Sequence, residues 1–294
     1  MPDFASFVRS TRPLLISAVV VMRPGTVESA SAALEVQAPS GEGGVVVAAL
    51  SFTPVHIRAL GCPGDPVCAV ETLVRDAHRQ GARLVVAPEY GLPQTSPEPD
   101  PKVGDRPDDL RSMPLLTRLA RLSEELGIYL VVDLETERGK EGFNALVALS
   151  PDGRVVGVHH KFELFEGERG ALTPGDDVDA FDTPFGRVGL LVCADVYGAV
   201  RLHERLARDL DVDIVAYSAA WTVEGATHWP SAFAHDWGVF VVAANGSTGE
   251  GRGSGVFDRK GAALALSNRF GSPVIVARLP VEPLAGDSGK RGTR

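Results

Sequence analysis

The chain has 294 residues, 44% of them hydrophobic and 23% charged, so it allows one large domain or two modest ones and has carbon enough to bury a sizeable core. Twenty-nine Lys and Arg stand against 38 Asp and Glu, a net charge of −9, which lacks the basic excess of a nucleic-acid binder, while the hydrophobic content excludes disorder of the whole chain. A membrane-spanning helix needs roughly 20 consecutive apolar residues; the longest candidate, residues 14–22, is broken by Ser17 and closed by Arg23-Pro24-Gly25.

The first 44 residues read differently from the rest. Arg9 and Arg12, an apolar run and then Ala30-Ser31-Ala32-Ala33 match the basic start, short apolar stretch and small-residue exit of an export signal. Arg23-Pro24 directly after the apolar run argues instead for a flexible segment. Both readings stand, and with them a cytoplasmic or an exported location. A Pro/Ser/Gly-rich linker follows at 38–44. A single folded domain is expected over 45–280, and a flexible tail over 281–294. Three cysteines exclude a disulfide-rich scaffold. Cys62 and Cys68 enclose a turn-rich Pro-Gly-Asp-Pro-Val and could close a small loop or stay free; Cys193 stands alone in a hydrophobic run.

The Val-rich run 45–52 predicts a strand buried on both faces. Val67, Val70, Leu73, Val74 and Ala77 recur at helical spacing, and that helix closes at Gly81. Residues 84–88 form the next buried strand. Leu115, Leu116, Leu119, Leu122 and Leu126 mark a second amphipathic helix, stopped by Gly127. Strands follow over 128–134 and 145–149, and over 154–159 after the turn Pro151-Asp152-Gly153. Phe185-Gly186-Arg187 turns into a strand over 188–193, followed by a helix over 200–210. Further strands fall at 214–218, 239–244, 256–257, 263–266 and 273–277. About ten strands with interleaved helices predict an α/β domain of layered type.

Three of these strands end in residues that do not belong in a core. The second runs into Glu89, the strand over 154–159 into His160-Lys161, and the strand over 188–193 into Cys193-Ala194-Asp195. In open α/β sheets ligands sit beyond the carboxyl ends of the strands, so the three ends should face one cleft. A thiol there can attack, a carboxylate can move its proton, and an ammonium can stabilise an oxyanion. Taken singly each residue has a blander reading: a turn-forming acid, a solvated lysine, a small buried hydrophobe. The conjunction carries the expectation. His159 and His160 are adjacent, so on a strand they point to opposite faces and cannot chelate one ion together. Neither a metal nor an organic cofactor is expected.

Residues 83–91, Arg-Leu-Val-Val-Ala-Pro-Glu-Tyr-Gly, resemble the first catalytic motif of the nitrilase superfamily, the carbon–nitrogen hydrolases. His159-His-Lys-Phe-Glu-Leu-Phe165 resembles its lysine motif, and Pro184-Phe-Gly-Arg-Val-Gly-Leu-Leu-Val-Cys-Ala-Asp195 its cysteine motif, in the same Glu, Lys, Cys order. The resemblance implies a four-layer αββα sandwich, a homo-oligomer, and metal-free hydrolysis of a non-peptide carbon–nitrogen bond in a small-molecule amide. It also implies a second glutamate near the lysine. Glu168, six residues before Pro174-Gly175, has the matching spacing, with Glu163 and Glu166 as rivals; the family often has His where Glu163 stands. Later stretches, Ala219-Ala-Trp221, Val241-Val-Ala-Ala-Asn245 and Gly253-Ser-Gly-Val-Phe257, are similar to the biotinidase and pantetheinase branch. Cys193-Ala194-Asp195 lacks the Cys-Trp-Glu of nitrile hydrolases, which favours amides. Amidases of other branches and a catalytically silent binding protein are the competing readings.

The expected chemistry follows. Lys161 lowers the Cys193 pKa, Glu89 takes the thiol proton, and Lys161 with the Ala194 N–H holds the oxyanion. Tyr90, Tyr197 and Trp221 are expected to line the substrate pocket. Asp195 is expected to orient the backbone after the nucleophile rather than to react.

Overall fold

Strand β1 (Val45–Phe52) sets the layering. Its side chains alternate between two apolar clusters, Val45, Val47 and Ala49 on one face, Ala48 and Leu50 on the other, as a strand buried on both faces requires. The computed structural model describes residues 43–52, 60–62, 66–92, 97–198, 200–221, 227–246, 253–267 and 272–280. Of the expected export signal or flexible segment over 1–44, residues 1–42 lie outside the described residues, as does the tail over 281–294.

After β1 come α1 (Pro66–Arg79), β2 (Leu84–Val86), β3 (Glu98–Pro99), α2 (Pro114–Leu126), β4 (Tyr129–Arg138), β5 (Glu141–Leu149) and β6 (Val155–His160). Then follow β7 (Ala180–Thr183), β8 (Gly186–Val192), α3 (Asp195–Gly198), α4 (Val200–Glu204), β9 (Ile214–Ala219), α5 (His228–Trp237), β10 (Phe240–Gly246), β11 (Gly255–Phe257), β12 (Ala263–Leu266) and β13 (Val274–Leu279). The main strand order is β6-β5-β4-β2-β1-β10-β9-β8-β7. β1 meets β10 only through Ser51 and Phe52, whereas β13 runs antiparallel along residues 45–50. The path therefore folds at β1 into two sheets.

Residue parity shows what each sheet face touches. Val188, Leu190 and Val192 of β8, Ile214 and Ala216 of β9 and Val242 and Ala244 of β10 join Val47, Val86 and Val131 in a central layer between the sheets. The alternate residues Leu191, Val215, Tyr217, Val241 and Ala243 face Leu202, Leu206 and Phe233 of the second helical layer. On the far side, Leu50, Val85, Leu130 and Val132 pack on Val70, Leu73 and Val74 of α1 and Leu116 and Leu119 of α2. Three apolar layers separate four layers of structure, αββα.

Local signals account for the elements nearest the site. Helix α2 has Pro114 in its first turn and Gly127 in the left-handed conformation at its end, and Glu98 accepts the N–H groups of Leu115 and Leu116, which have no partner inside the helix. The helix expected over 200–210 is α4 followed by a π turn at Arg205–Asp209. That turn seats Leu206 over Gly189, where any Cβ would lie 2.7 Å from the leucine. Cys62 and Cys68, whose pairing the sequence leaves open, are joined by a disulfide across the start of α1.

Candidate active site

The central layer turns polar at the carboxyl ends of its strands. Val131 is followed on the same face of β4 by Asp133; on antiparallel β5, Asn144 precedes Leu146 on that face, toward the same end of the sheet. His159 pairs with Leu146 across β5 and β6, so its ring lies in that layer as well, while His160 turns the opposite way to Asp100, 2.8 Å from its Oδ1. Glu89 lies beyond β2, Lys161 directly after β6 and Cys193 directly after β8.

These three side chains converge. Lys161 Nζ is 2.7 Å from Glu89 Oε1 and 2.8 Å from Glu168 Oε1, and Lys161 and Glu89 are 1% and 2% exposed. Asn144 Nδ2 donates to the same Glu89 oxygen at 2.9 Å. Cys193 is near enough to both that Glu89 and Lys161 each act electrostatically on its thiol. Of the three glutamates after the lysine, Glu168 alone reaches it. Glu163 turns away and packs on the backbone of Gly198, and Glu166 is exposed.

The backbone is strained where the chemistry concentrates. Three non-glycine residues among those described have positive φ, and two of them are Tyr90 at +53° and Cys193 at +46°. Such conformations persist only where neighbours over-determine them. Cys193 N–H donates to Ser218 O at 2.7 Å, and Ser218 Oγ donates to Ala87 O, two residues before Glu89, at 3.0 Å. The Tyr90 N–H donates to Asp133 Oδ1 at 2.9 Å, and its hydroxyl donates to Glu168. Gly246, at the end of β10, lets the Glu89 backbone approach; a Cβ there would stand 3.0 Å from the Glu89 carbonyl oxygen.

Asp195 ties the cysteine turn to the lysine loop. Its Oδ1 accepts the N–H groups of Phe162 and Glu163, and its Oδ2 accepts Val192 N–H and pairs with His159 Nε2 at 2.8 Å. Gly175 N–H donates to Lys161 O at 2.9 Å, holding the lysine from the other side.

Burial dominates the electrostatics. It raises the Glu89 pKa above the usual carboxylate range, against Lys161, which opposes the rise. It also pushes the Cys193 thiol up, with Glu89 adding to the shift and Lys161 and the Ala220 amide resisting. Lys161 acts on the thiol in the expected, lowering direction, and desolvation outweighs it. Burial works against the Lys161 charge too, but Glu89, Cys193 and Glu168 outweigh it and hold the pKa above the ordinary lysine value. Glu168 is lowered despite its burial, by Lys161 and Tyr90.

Ala194 is buried beside the cysteine at the head of α3. Tyr197 stacks against Trp221 at 5.7 Å and Trp229 at 5.1 Å, and Tyr197 and Trp229 are exposed. Trp221 Nε1 donates to Tyr217 OH, which donates to the Cys193 carbonyl, so the indole is fastened to the cysteine turn. Tyr90 is exposed beside Glu89. Sequence reasoning missed Asp133, Asn144, Tyr217 and Trp229. For Asp133 and Asn144 a signal was present, a lone polar residue inside each apolar run.

The carbon-nitrogen hydrolase family model matches residues 67–285, which spans every one of these positions. The chain belongs to the carbon–nitrogen hydrolase family. A human pantetheine hydrolase is 26% identical over 272 residues, covering 81% of this chain and 51% of that protein. Rat biotinidase is 31% identical over 224 residues, covering 62% and 42%. The chain thus spans about half the length of the curated relatives it matches. Among solved structures, a Nesterenkonia amidase of the nitrilase superfamily matches with a TM-score of 0.65 at 21% identity, over 83% of this chain and 93% of that one. The likeness to the solved amidase is one of fold.

Proposed function

We propose that this carbon–nitrogen hydrolase cleaves a linear amide through a thioester on Cys193, without a metal, with pantetheine-like and biotinyl amides as the leading substrates. The observation that carries the reading is the buried Glu89–Lys161 contact of 2.7 Å, with Cys193 near enough that both charges act on its thiol. Glu89 takes the thiol proton as sulfur attacks the carbonyl carbon. Because burial keeps the thiol pKa high, proton transfer and attack go together rather than from a standing thiolate. The Lys161 ammonium and the Ala194 N–H hold the oxyanion. Glu89 returns the proton to the nitrogen as the C–N bond breaks and the amine leaves. It then deprotonates the water that attacks the thioester, and as the S–C bond breaks the proton goes back to sulfur.

Glu168 keeps Lys161 charged and in place, and Asp195 holds the lysine loop against the cysteine turn. Tyr197, Trp221 and Tyr90 line the approach, which suits the extended substrate of a linear amidase. In a mutant of the Nesterenkonia amidase acrylamide adds to the active-site cysteine, which supports cysteine chemistry on this fold. The pantetheine hydrolase and biotinidase relatives point to the substrate class. An N-carbamoylputrescine amidase from Arabidopsis, 29% identical over 163 residues, supports the alternative of N-carbamoyl or ω-amide substrates. A panel of pantetheine, biocytin, simple ω-amides and N-carbamoyl compounds, read by released amine, tests the proposal. Release from pantetheine or biocytin alone supports the leading reading. Release confined to the others moves the enzyme to another branch, and an unreactive Cys193 with no release from any of them refutes catalysis.

A further inference from the structure

Asp133 is a buried acid of the site that this chemistry does not use. It follows Val131 on the central face of β4, so its carboxyl points between the sheets, and it is 1% exposed. Oδ1 accepts the Tyr90 N–H at 2.9 Å, and Oδ2 has no hydrogen-bond partner. Tyr90 comes directly after Glu89 and is held in the left-handed conformation, which a bulky residue adopts only under constraint. One acceptor therefore anchors a turn from which Glu89 reaches toward Cys193 on one side and the Tyr90 hydroxyl reaches Glu168 on the other.

The charged groups that act on Asp133 are Glu89 from the end of β2, Lys161 from the end of β6 and Glu168 from the loop beyond it. Lys161 already bonds both glutamates. A further negative charge beside Glu89 would have no cation left to balance it, and its Oδ2 would stand desolvated without a donor, which is costly. Burial, and after it the Glu89 carboxylate, push the Asp133 pKa well above the usual aspartate range.

We propose that Asp133 is a positioning residue that works as a neutral carboxylic acid, holding the Tyr90 amide and so aiming Glu89 without adding charge beside it. The proposal rests on Glu89 being the general base. Asn is the neutral isostere: it keeps the acceptor for the Tyr90 N–H. Ala removes it.

The test compares Asp133→Asn and Asp133→Ala, using the panel amide that the wild type turns over fastest, together with the infrared difference spectrum of wild type minus D133N. The expected result is that D133N keeps kcat and the pH profile of kcat/KM close to wild type. D133A should lose about a hundredfold in kcat with KM little changed, the size of loss that misplacing a catalytic group brings. The difference spectrum at neutral pH should contain the carbonyl stretch of a protonated carboxyl. A D133N profile whose acid limb moves, a fully active D133A, or a spectrum with only the carboxylate band overturns the proposal. If D133A does not fold, D133N and the spectrum decide. If the wild type releases no amine from any amide, the reading of Glu89 fails on its own, while the spectrum still decides the state of Asp133.

Discussion

The carboxylate of Asp195, two residues beyond Cys193, accepts the backbone N–H of Glu163, two residues beyond Lys161, at 2.8 Å. With Phe162, Val192 and His159 on its remaining lone pairs, this fully buried side chain sets the spacing between cysteine and lysine. Asp195→Ala leaves three backbone donors buried and unpaired. Each unsatisfied donor costs about 1–3 kcal/mol, so the loss should be several kcal/mol, read as a fall in the urea midpoint. An unchanged midpoint would show that Asp195 holds nothing.

Cys193→Ala should abolish turnover while keeping the fold. Lys161→Ala should lose more than an oxyanion donor, whose removal typically costs about 2.7–4 kcal/mol of transition-state stabilisation. It also leaves Glu89 and Glu168 buried without their cation, so its thermal midpoint should fall as well. Steady-state kinetics and a melting curve on the same preparation check both; turnover like the wild type's in either variant contradicts the roles assigned.

The pH dependence follows from the shifted groups. Glu89 must be unprotonated to take the thiol proton, and burial raises its pKa above the ordinary 4.5. Activity should therefore fall on acidification through a midpoint above that value. On the alkaline side Lys161, raised above its ordinary 10.5 by Glu89 and Cys193 against the burial that opposes its charge, stays an ammonium, so its deprotonation should cause no fall through the mildly alkaline range. A kcat/KM profile measured over the range in which the protein stays folded checks this. An acid midpoint at or below 4.5 would mean that Glu89 is not the base.

Asp133 makes a separate, thermodynamic prediction. Its folded pKa lies above the unfolded value, ordinarily 3.8, so between the two the folded state keeps a proton that the unfolded chain has released. Stability then falls as pH rises through that window, by up to about 1.4 kcal/mol per pH unit for one proton. D133N lacks this loss. Urea unfolding of both proteins at several pH values should show wild type losing stability relative to D133N as pH rises from 4; parallel curves would contradict it.

Tyr217→Phe removes the link between the Cys193 carbonyl and the Trp221 indole. Leaving the indole N–H without its acceptor should cost about 1–3 kcal/mol and loosen the aromatic wall, so KM should rise along with the loss of stability. A variant unchanged in both would remove Tyr217 from the site's support.

The strand ends were the most legible part of the sequence. Glu89, Lys161 and Cys193 each interrupt an apolar run at the point where a buried strand must leave the core, and β1, β8, β9 and β10 announce themselves as such runs because both their faces are covered. Asp133 and Asn144 sit inside runs of the same kind and were passed over, since what justifies them is a partner from another strand rather than any neighbour in sequence. Glu163, Glu166 and Glu168 are close along the chain; only the spacing to Pro174-Gly175, read through the family resemblance, favoured Glu168, and it is Glu168 that bonds Lys161 and Tyr90. Trp229 reaches Tyr197 from a helix more than thirty residues further on. The net rise of the Cys193 pKa was illegible for the same reason: a nearby cation can be guessed from motifs, but the depth of burial that outweighs it belongs to the packed layers.

The most direct measurement of the central claim is mass spectrometry of acid-quenched enzyme during turnover of the best panel amide, with peptide mapping of the adduct. The account predicts an added mass equal to the acyl group, carried on Cys193, released by hydroxylamine and absent from Cys193→Ala. Steady turnover that persists in Cys193→Ala, with no acyl adduct on the wild-type cysteine, would contradict it.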